Sequence, residues 1–313
     1  MPSCPECGTE NIETHLFCSE CGTPLKTVER EPHTFTNLLK DSLGSLWPKG
    51  ITPIDKPTDI VYEKLPAFNP SIRYLGLGAA IWGIYIVSIY MDYGANILPV
   101  ILLTFVFPFT VFLWIRKSDR YEQEPLSLIL FLFAWGIVSG EISGMLNPLM
   151  VSWMGAPGAA FIEEPAKALG VYYIARHSKL GQEFNGHMDG LIYGACAGVG
   201  FTWIEDIFYA LDAGTPDYLI LLLRGTTAFA HLVFTGLTGR NLGIAKAKRG
   251  YLVPTDLLAA LIPGTLLHFI WNAAPGLTMF LLFIPYLYIF KKNLDAASAD
   301  EERWGYRIKA PVE

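Results

Sequence analysis

Charge is what this sequence has least of. Asp, Glu, Lys and Arg make up only 17% of its 313 residues, and 52% are hydrophobic, where an ordinary soluble domain carries about 25% charged residues. That balance excludes a water-exposed globule and places most of the chain in lipid. The 23 basic residues are outnumbered by 29 acidic ones, giving a net charge of −6. No basic surface is left over for a phosphate backbone, so nucleic acid is not expected as a partner. No long apolar run occurs before residue 70, so no signal peptide is expected. Cysteine is also scarce: beyond residue 21 there is only Cys196, which reads as a small apolar residue.

The remaining four cysteines form two knuckles, Cys4-Pro-Glu-Cys7 and Cys18-Ser-Glu-Cys21, each followed by glycine. Such spacing places four thiolates around one zinc ion, with the glycine relieving the tight turn after each pair. Two disulfides are the other reading of the same cysteines. A reduced zinc site needs a thiol-permissive compartment, which puts the N-terminus in the cytoplasm. Residues 1–25 are therefore expected to be a zinc ribbon, a module suited to binding a cytoplasmic protein. Residues 26–70 read as a linker, with prolines at 32, 48, 53, 57, 66 and 70. Within it Phe35, Leu38, Leu39, Leu43, Leu46 and Trp47 recur at helical spacing. They predict a short helix that either lies on a membrane surface or packs on protein.

A bilayer core takes about 20 apolar residues per helix. Eight runs qualify, at about 72–90, 96–115, 126–151, 158–176, 189–211, 219–240, 255–273 and 275–291. The expected fold is thus an all-α polytopic membrane protein: a transmembrane domain over 71–292, followed by a cytoplasmic tail over 293–313. With the N-terminus inside, the cytoplasmic connections hold Arg116, Lys117, Arg120, Arg176, Lys179, Arg240, Lys246, Lys248, Arg249, Lys291 and Lys292. The opposite connections hold no Lys or Arg, in agreement with the positive-inside rule. Both termini are then cytoplasmic, in a multi-pass protein of the cell membrane.

Ionisable residues inside a span cost about 2.5 to 3.5 kcal/mol each, so those that persist have partners and a purpose. Here they cluster: Glu163, Glu164 and Lys167 in the fourth span, Glu205 and Asp206 in the fifth, Arg224 and His231 in the sixth, His268 and Asn272 in the seventh. Counting about 1.5 Å per residue from the outer ends puts Glu163 and His268 at about 8 Å, Glu205 at about 9 Å and His231 at about 18 Å. Glu163 and Lys167, Phe201 and Glu205, and His268 and Asn272 are four apart, so each pair shares a helix face. Adjacent carboxylates cannot both ionise cheaply, so one of Glu163 and Glu164 should pair with Lys167 or a histidine. Lys167 and Arg224 read as supporting cations. Glu141 in the third span, beside Ser139, Ser143 and Asn147, reads as a satisfied packing residue and not a catalyst. Peptide hydrolysis needs a base for water, donors for the oxyanion and an acid for the leaving amine, and this set can supply all three.

The run Phe161-Ile-Glu163-Glu164-Pro-Ala-Lys167, then Asp189-Gly190 through Tyr193-Gly194 to Gly198, Gly200, Phe201 and Glu205, then Arg224, His231 to Gly239 and His268-Phe-Ile-Trp-Asn272, resembles the PrsW family of intramembrane proteases from about residue 119 to 291. That family is similar to the CAAX prenyl endopeptidases. The resemblance implies that Glu163 or Glu164 activates water, that His268 and Asn272 hold the oxyanion, and that the substrate is a membrane-anchored protein. Glu205 stands where the CAAX enzymes resemble a Phe-x-x-x-His pattern. Glu and His also ligate zinc, so glutamate-activated water and a catalytic metal both stay open. The competing class is an ion- or proton-coupled transporter, which also places charges at depth, although no repeat relates the two halves of the chain.

Overall fold

The computed structural model describes residues 2–26, 32, 34–51, 53, 104–106, 110, 113–115, 118–212, 218–274 and 281–306. The expected span at 72–90 lies outside the described residues, as do most of 96–115 and the start of 275–291. The described residues are mostly helical: α1 (Phe35–Leu43), α2 (Leu126–Met154), α3 (Ala160–Arg176), α4 (His187–Asp212), α5 (Tyr218–Arg249), α6 (Pro254–Ala273) and α7 (Phe283–Trp304). Three segments among them are long and apolar enough to cross a membrane: Leu126–Met154, His187–Ala210 and Pro254–Ala273. On α2 the side chains of Met145, Leu149 and Trp153 are largely exposed, as suits helices solvated by lipid.

Local sequence sets the helix ends. Gly155 at φ 69° stops α2, and Gly305 at φ 98° stops α7; both are left-handed conformations that glycine adopts without a Cβ clash. Pro254 opens α6, and Asp256 accepts from Val253 N–H at 2.6 Å. Asp189 Oδ2 accepts from the N–H groups of Asn185 and Gly186 at 2.6 and 2.8 Å, so it caps the start of α4.

Buried α4 is the axis of the bundle. Gly190, Gly194 and Gly198 face α5, where an added Cβ would come within 2.1 Å of Gly239 O, 2.3 Å of Thr235 O and 2.4 Å of His231 O respectively. The partners step back by four residues as the glycines step forward by four, so the two helices run antiparallel in one fixed register. Small residues let their backbones touch. On another face of α4, a Cβ on Gly200 would meet Phe133 O at 2.0 Å and one on Gly136 of α2 would meet Ala197 O at 2.1 Å. This register places His231 beside α4 at the level of Phe201 and Glu205.

Helix α5 runs nine residues past the expected end at 240, and α7 continues across the expected boundary at 292 to Trp304. The four cysteines of the N-terminal ribbon converge, with Cys4 Sγ 3.6 Å from Cys21 Sγ and Cys7 Sγ 3.6 Å from Cys18 Sγ. The glycines after each pair, Gly8 and Gly22, take φ of 74° and 73°. Leu16 and Phe17 of the ribbon pack with Ile51, Ile244, Ala247, Trp304 and Tyr306, and Leu16 N–H donates to Arg303 O at 2.9 Å. Helix α1 is packed on protein: Leu38 and Ser42 are buried, Lys248 pairs with Asp41 at 2.8 Å, and Asn241 Nδ2 donates to Ser42 O. Its Phe35 and Leu43, and nearby Trp47, stay exposed.

Candidate active site

Four helices contribute to one buried polar chain. From α3, Glu164 and Lys167 are fully buried and 2.5 Å apart. Of the two glutamates, it is Glu164, three residues away, that pairs with Lys167. Lys167 Nζ also lies 2.9 Å from His231 Nδ1 on α5 and 4.2 Å from the centre of the Phe201 ring on α4. His231 Nε2 is 3.1 Å from Glu205 Oε2, and Arg224 joins Glu205 at 3.0 Å to Asp206 at 2.5 Å. In the other direction Glu164 Oε1 is 2.8 Å from His268 Nδ1 on α6, while Asn272 Nδ2 is 3.2 Å from His268 Nε2. The chain is continuous from Asn272 through His268, Glu164, Lys167, His231, Glu205 and Arg224 to Asp206. All eight residues expected at the site lie in it or against it.

Glu163 joins from the side. Its Oε1 accepts from Asn147 Nδ2 of α2 at 2.8 Å, and its Oε2 stands 3.5 Å from His268 Nε2 without a hydrogen-bond partner. The adjacent glutamates thus have different surroundings. Glu164 is saturated, since Oε1 accepts from Lys167 and faces His268 while Oε2 accepts from Thr235 at 3.0 Å. Glu163 keeps one oxygen uncommitted. Phe234 stacks on the His268 ring at 4.8 Å and 12°, which fixes the ring plane.

His231 meets the residues of the other helices directly. Helix α5 has 32 residues, about 48 Å at 1.5 Å per residue, longer than the roughly 30 Å hydrocarbon core. Contacts with Glu205 and Lys167 put His231 level with the other site residues. Asn147 and Thr235 were not read as site residues. The signal for Thr235 was its place four residues after His231, and for Asn147 the polar stripe it forms with Ser139 and Ser143.

A family model described as PrsW family intramembrane metalloprotease matches residues 124–291, more than half of the 313-residue chain. The chain belongs to the PrsW family. A Protease PrsW of Geobacillus kaustophilus is 28% identical over 165 residues, 47% of this chain and 68% of the relative. One of Clostridioides difficile is 27% identical over 207 residues, 58% and 83%, and one of Oceanobacillus iheyensis is 33% identical over 168 residues, 51% and 74%. No solved structure matches the chain. This PrsW protein is therefore a membrane peptidase of the intramembrane type, and the comparisons lend the transport alternative no support.

A zinc-ribbon model matches residues 3–25. The four thiols lie within 4.8 Å of one another, and zinc–sulfur bonds of about 2.3 Å set tetrahedral sulfurs about 3.8 Å apart. Sulfurs at 3.6 Å are too far for disulfides and suit one structural zinc. Burial acts to raise the Cys18 thiol, but N–H groups of Cys21 and Glu20 and the Asn11 amide outweigh it and bring the pKa to about 6, which favours the thiolate a metal needs.

The family description also implies a metal at the intramembrane centre. Glu163, His231 and His268 of this PrsW protein offer ligand atoms within 4.8 Å of one another, so distance alone allows one. Hydrogen-bond roles do not. Lysine is only a donor, so Lys167 makes His231 Nδ1 the acceptor and leaves the ring hydrogen on Nε2, facing Glu205. Both nitrogens of His231 are then committed, and a cation already stands among the carboxylates. The donor set as arranged does not fit a metal.

Proposed function

We propose that this chain hydrolyses a peptide bond of a membrane-anchored protein in the outer half of the bilayer, with Glu163 activating the water. The observation that carries this reading is the contrast between the two adjacent glutamates: Glu164 is saturated by Lys167, His268 and Thr235, whereas Glu163 Oε2 is uncommitted beside His268. Glu163 takes a proton from water as the oxygen bonds to the scissile carbonyl carbon. The carbonyl oxygen becomes an oxyanion held by Asn272 Nδ2–H, and His268, whose Nε2 accepts from that amide at 3.2 Å, aims it. The proton on Glu163 then passes to the leaving amine as the carbon–nitrogen bond breaks. Glu164, Lys167, His231, Glu205 and Arg224 hold this arrangement without touching the substrate.

Eight spans with both termini in the cytoplasm complete the reading, supported by the charge asymmetry of the connections and by the ribbon's thiols. Residues 71–292 then form the protease domain, and the ribbon, besides resting on the protein's own last helix, is a candidate surface for a cytoplasmic protein. The test is where the cut falls. A single-span substrate co-reconstituted in vesicles should be cleaved about 8 Å inside the outer boundary of its hydrophobic stretch, as read by sequencing the new termini. Cuts at the cytoplasmic end or in a soluble loop contradict the placement.

A further inference from the structure

Helix α2 carries two polar side chains that the mechanism above does not use, Ser143 and Asn147. Four residues apart, they share a helix face, and Asn147 meets Glu163. Ser143 is fully buried and its Oγ has no hydrogen-bond partner. Asn147 directs Nδ2 to Glu163 Oε1 at 2.8 Å. The reversed amide would set oxygen against a carboxylate, so chemistry fixes this orientation and leaves Oδ1 as the other head of the group. That Oδ1 is buried and unpartnered, as is Glu163 Oε2. Amide and carboxylate oxygens are acceptors only, and the hydroxyl can accept as well. Asn147 Oδ1 and Glu163 Oε2 belong to side chains already joined at 2.8 Å, so one small donor such as water can serve both, and buried acceptors of this kind ordinarily have a donor.

We infer that Asn147 is a second anchor of the attacking water, so that α2 supplies a catalytic residue. The water gives one hydrogen to Glu163 Oε2 and the other to Asn147 Oδ1, which directs an oxygen lone pair at the scissile carbonyl. Asn147 Nδ2 meanwhile holds the carboxylate in place. No bond beyond those of the hydrolysis already described is formed or broken. The inference rests on Glu163 as the base.

The test is steady-state cleavage by the full chain in vesicles. Asn147→Leu, close in size but unable to hydrogen-bond, should lower kcat by about 10²-fold, the scale on which misplaced reacting groups lose rate, with KM unchanged within about twofold. Unchanged kcat in Asn147→Leu overturns the inference, and so does a raised KM at constant kcat, which would assign Asn147 to the substrate. If Asn147→Leu does not fold, Asn147→Ser carries the same decision. Glu163→Gln is run alongside: if it is inactive while Asn147→Leu is fully active, only this inference fails, and if Glu163→Gln is active the reading beneath it fails.

Discussion

Glu163→Gln is expected to lower cleavage by about 10²- to 10⁴-fold, the usual contribution of a positioned base, while substrate still binds and the protein stays folded. The amide keeps an oxygen for Asn147 Nδ2 and removes a charge that no cation neutralises directly. Glu164→Gln should behave differently. Its carboxylate is the acceptor for Lys167 and Thr235 and the neighbour of His268 Nδ1, so the amide misaligns His268, costing about 10²-fold, and leaves a buried ammonium poorly matched. That variant should lose heat stability as well as rate. Combining Glu163→Gln with His268→Ala should cost little more than Glu163→Gln alone, because members of one catalytic unit are not additive. Cleavage and melting measured on the same preparations separate the two glutamates. Equal loss of stability in both variants would contradict the division of labour between them.

Lys167→Met is expected to be the most destabilising change in the centre. Lys167 and Glu164 have no exposure, and removing one partner of a buried ion pair costs about 3–5 kcal/mol because the other charge is left in low dielectric. Replacing both is much cheaper, since the desolvation of two charges disappears with their attraction. Glu164→Gln with Lys167→Met should therefore melt well above Lys167→Met alone, the coupling expected of groups in contact. Cleavage should not recover. Without Lys167 His231 Nδ1 loses its donor, and an amide at 164 has one acceptor oxygen where the carboxylate used two, for His268 Nδ1–H and Thr235. If Lys167→Met melts like the parent protein, the ammonium is not neutralising Glu164. If the double variant cleaves normally, the chain of hydrogen bonds is not needed for the chemistry.

Much of the centre was legible because lipid makes polarity conspicuous: Glu163, Glu164, Lys167, Glu205, Arg224, His231, His268 and Asn272 stand out against apolar surroundings, and all of them meet. The ribbon was legible from thiol spacing alone. Partner choice was not. Spacing left open which glutamate Lys167 takes; the ammonium turns to Glu164, where it also reaches His231 across the bundle. Asn147 looked like packing because nothing in its own helix shows that Gly136 and Gly200 draw α2 against α4. The extension of α7 to Trp304 was hidden by its acidic composition, which reads as a tail until Leu16 and Phe17 of the ribbon are seen to cover it.

The most direct test of a hydrolytic centre organised by Lys167 instead of a metal is zinc counted per chain in protein shown to cleave its substrate at full rate. One zinc is expected, held by Cys4, Cys7, Cys18 and Cys21, and none after Cys4→Ser with Cys7→Ser. A second zinc that survives loss of the ribbon site and disappears with His268→Ala would contradict it.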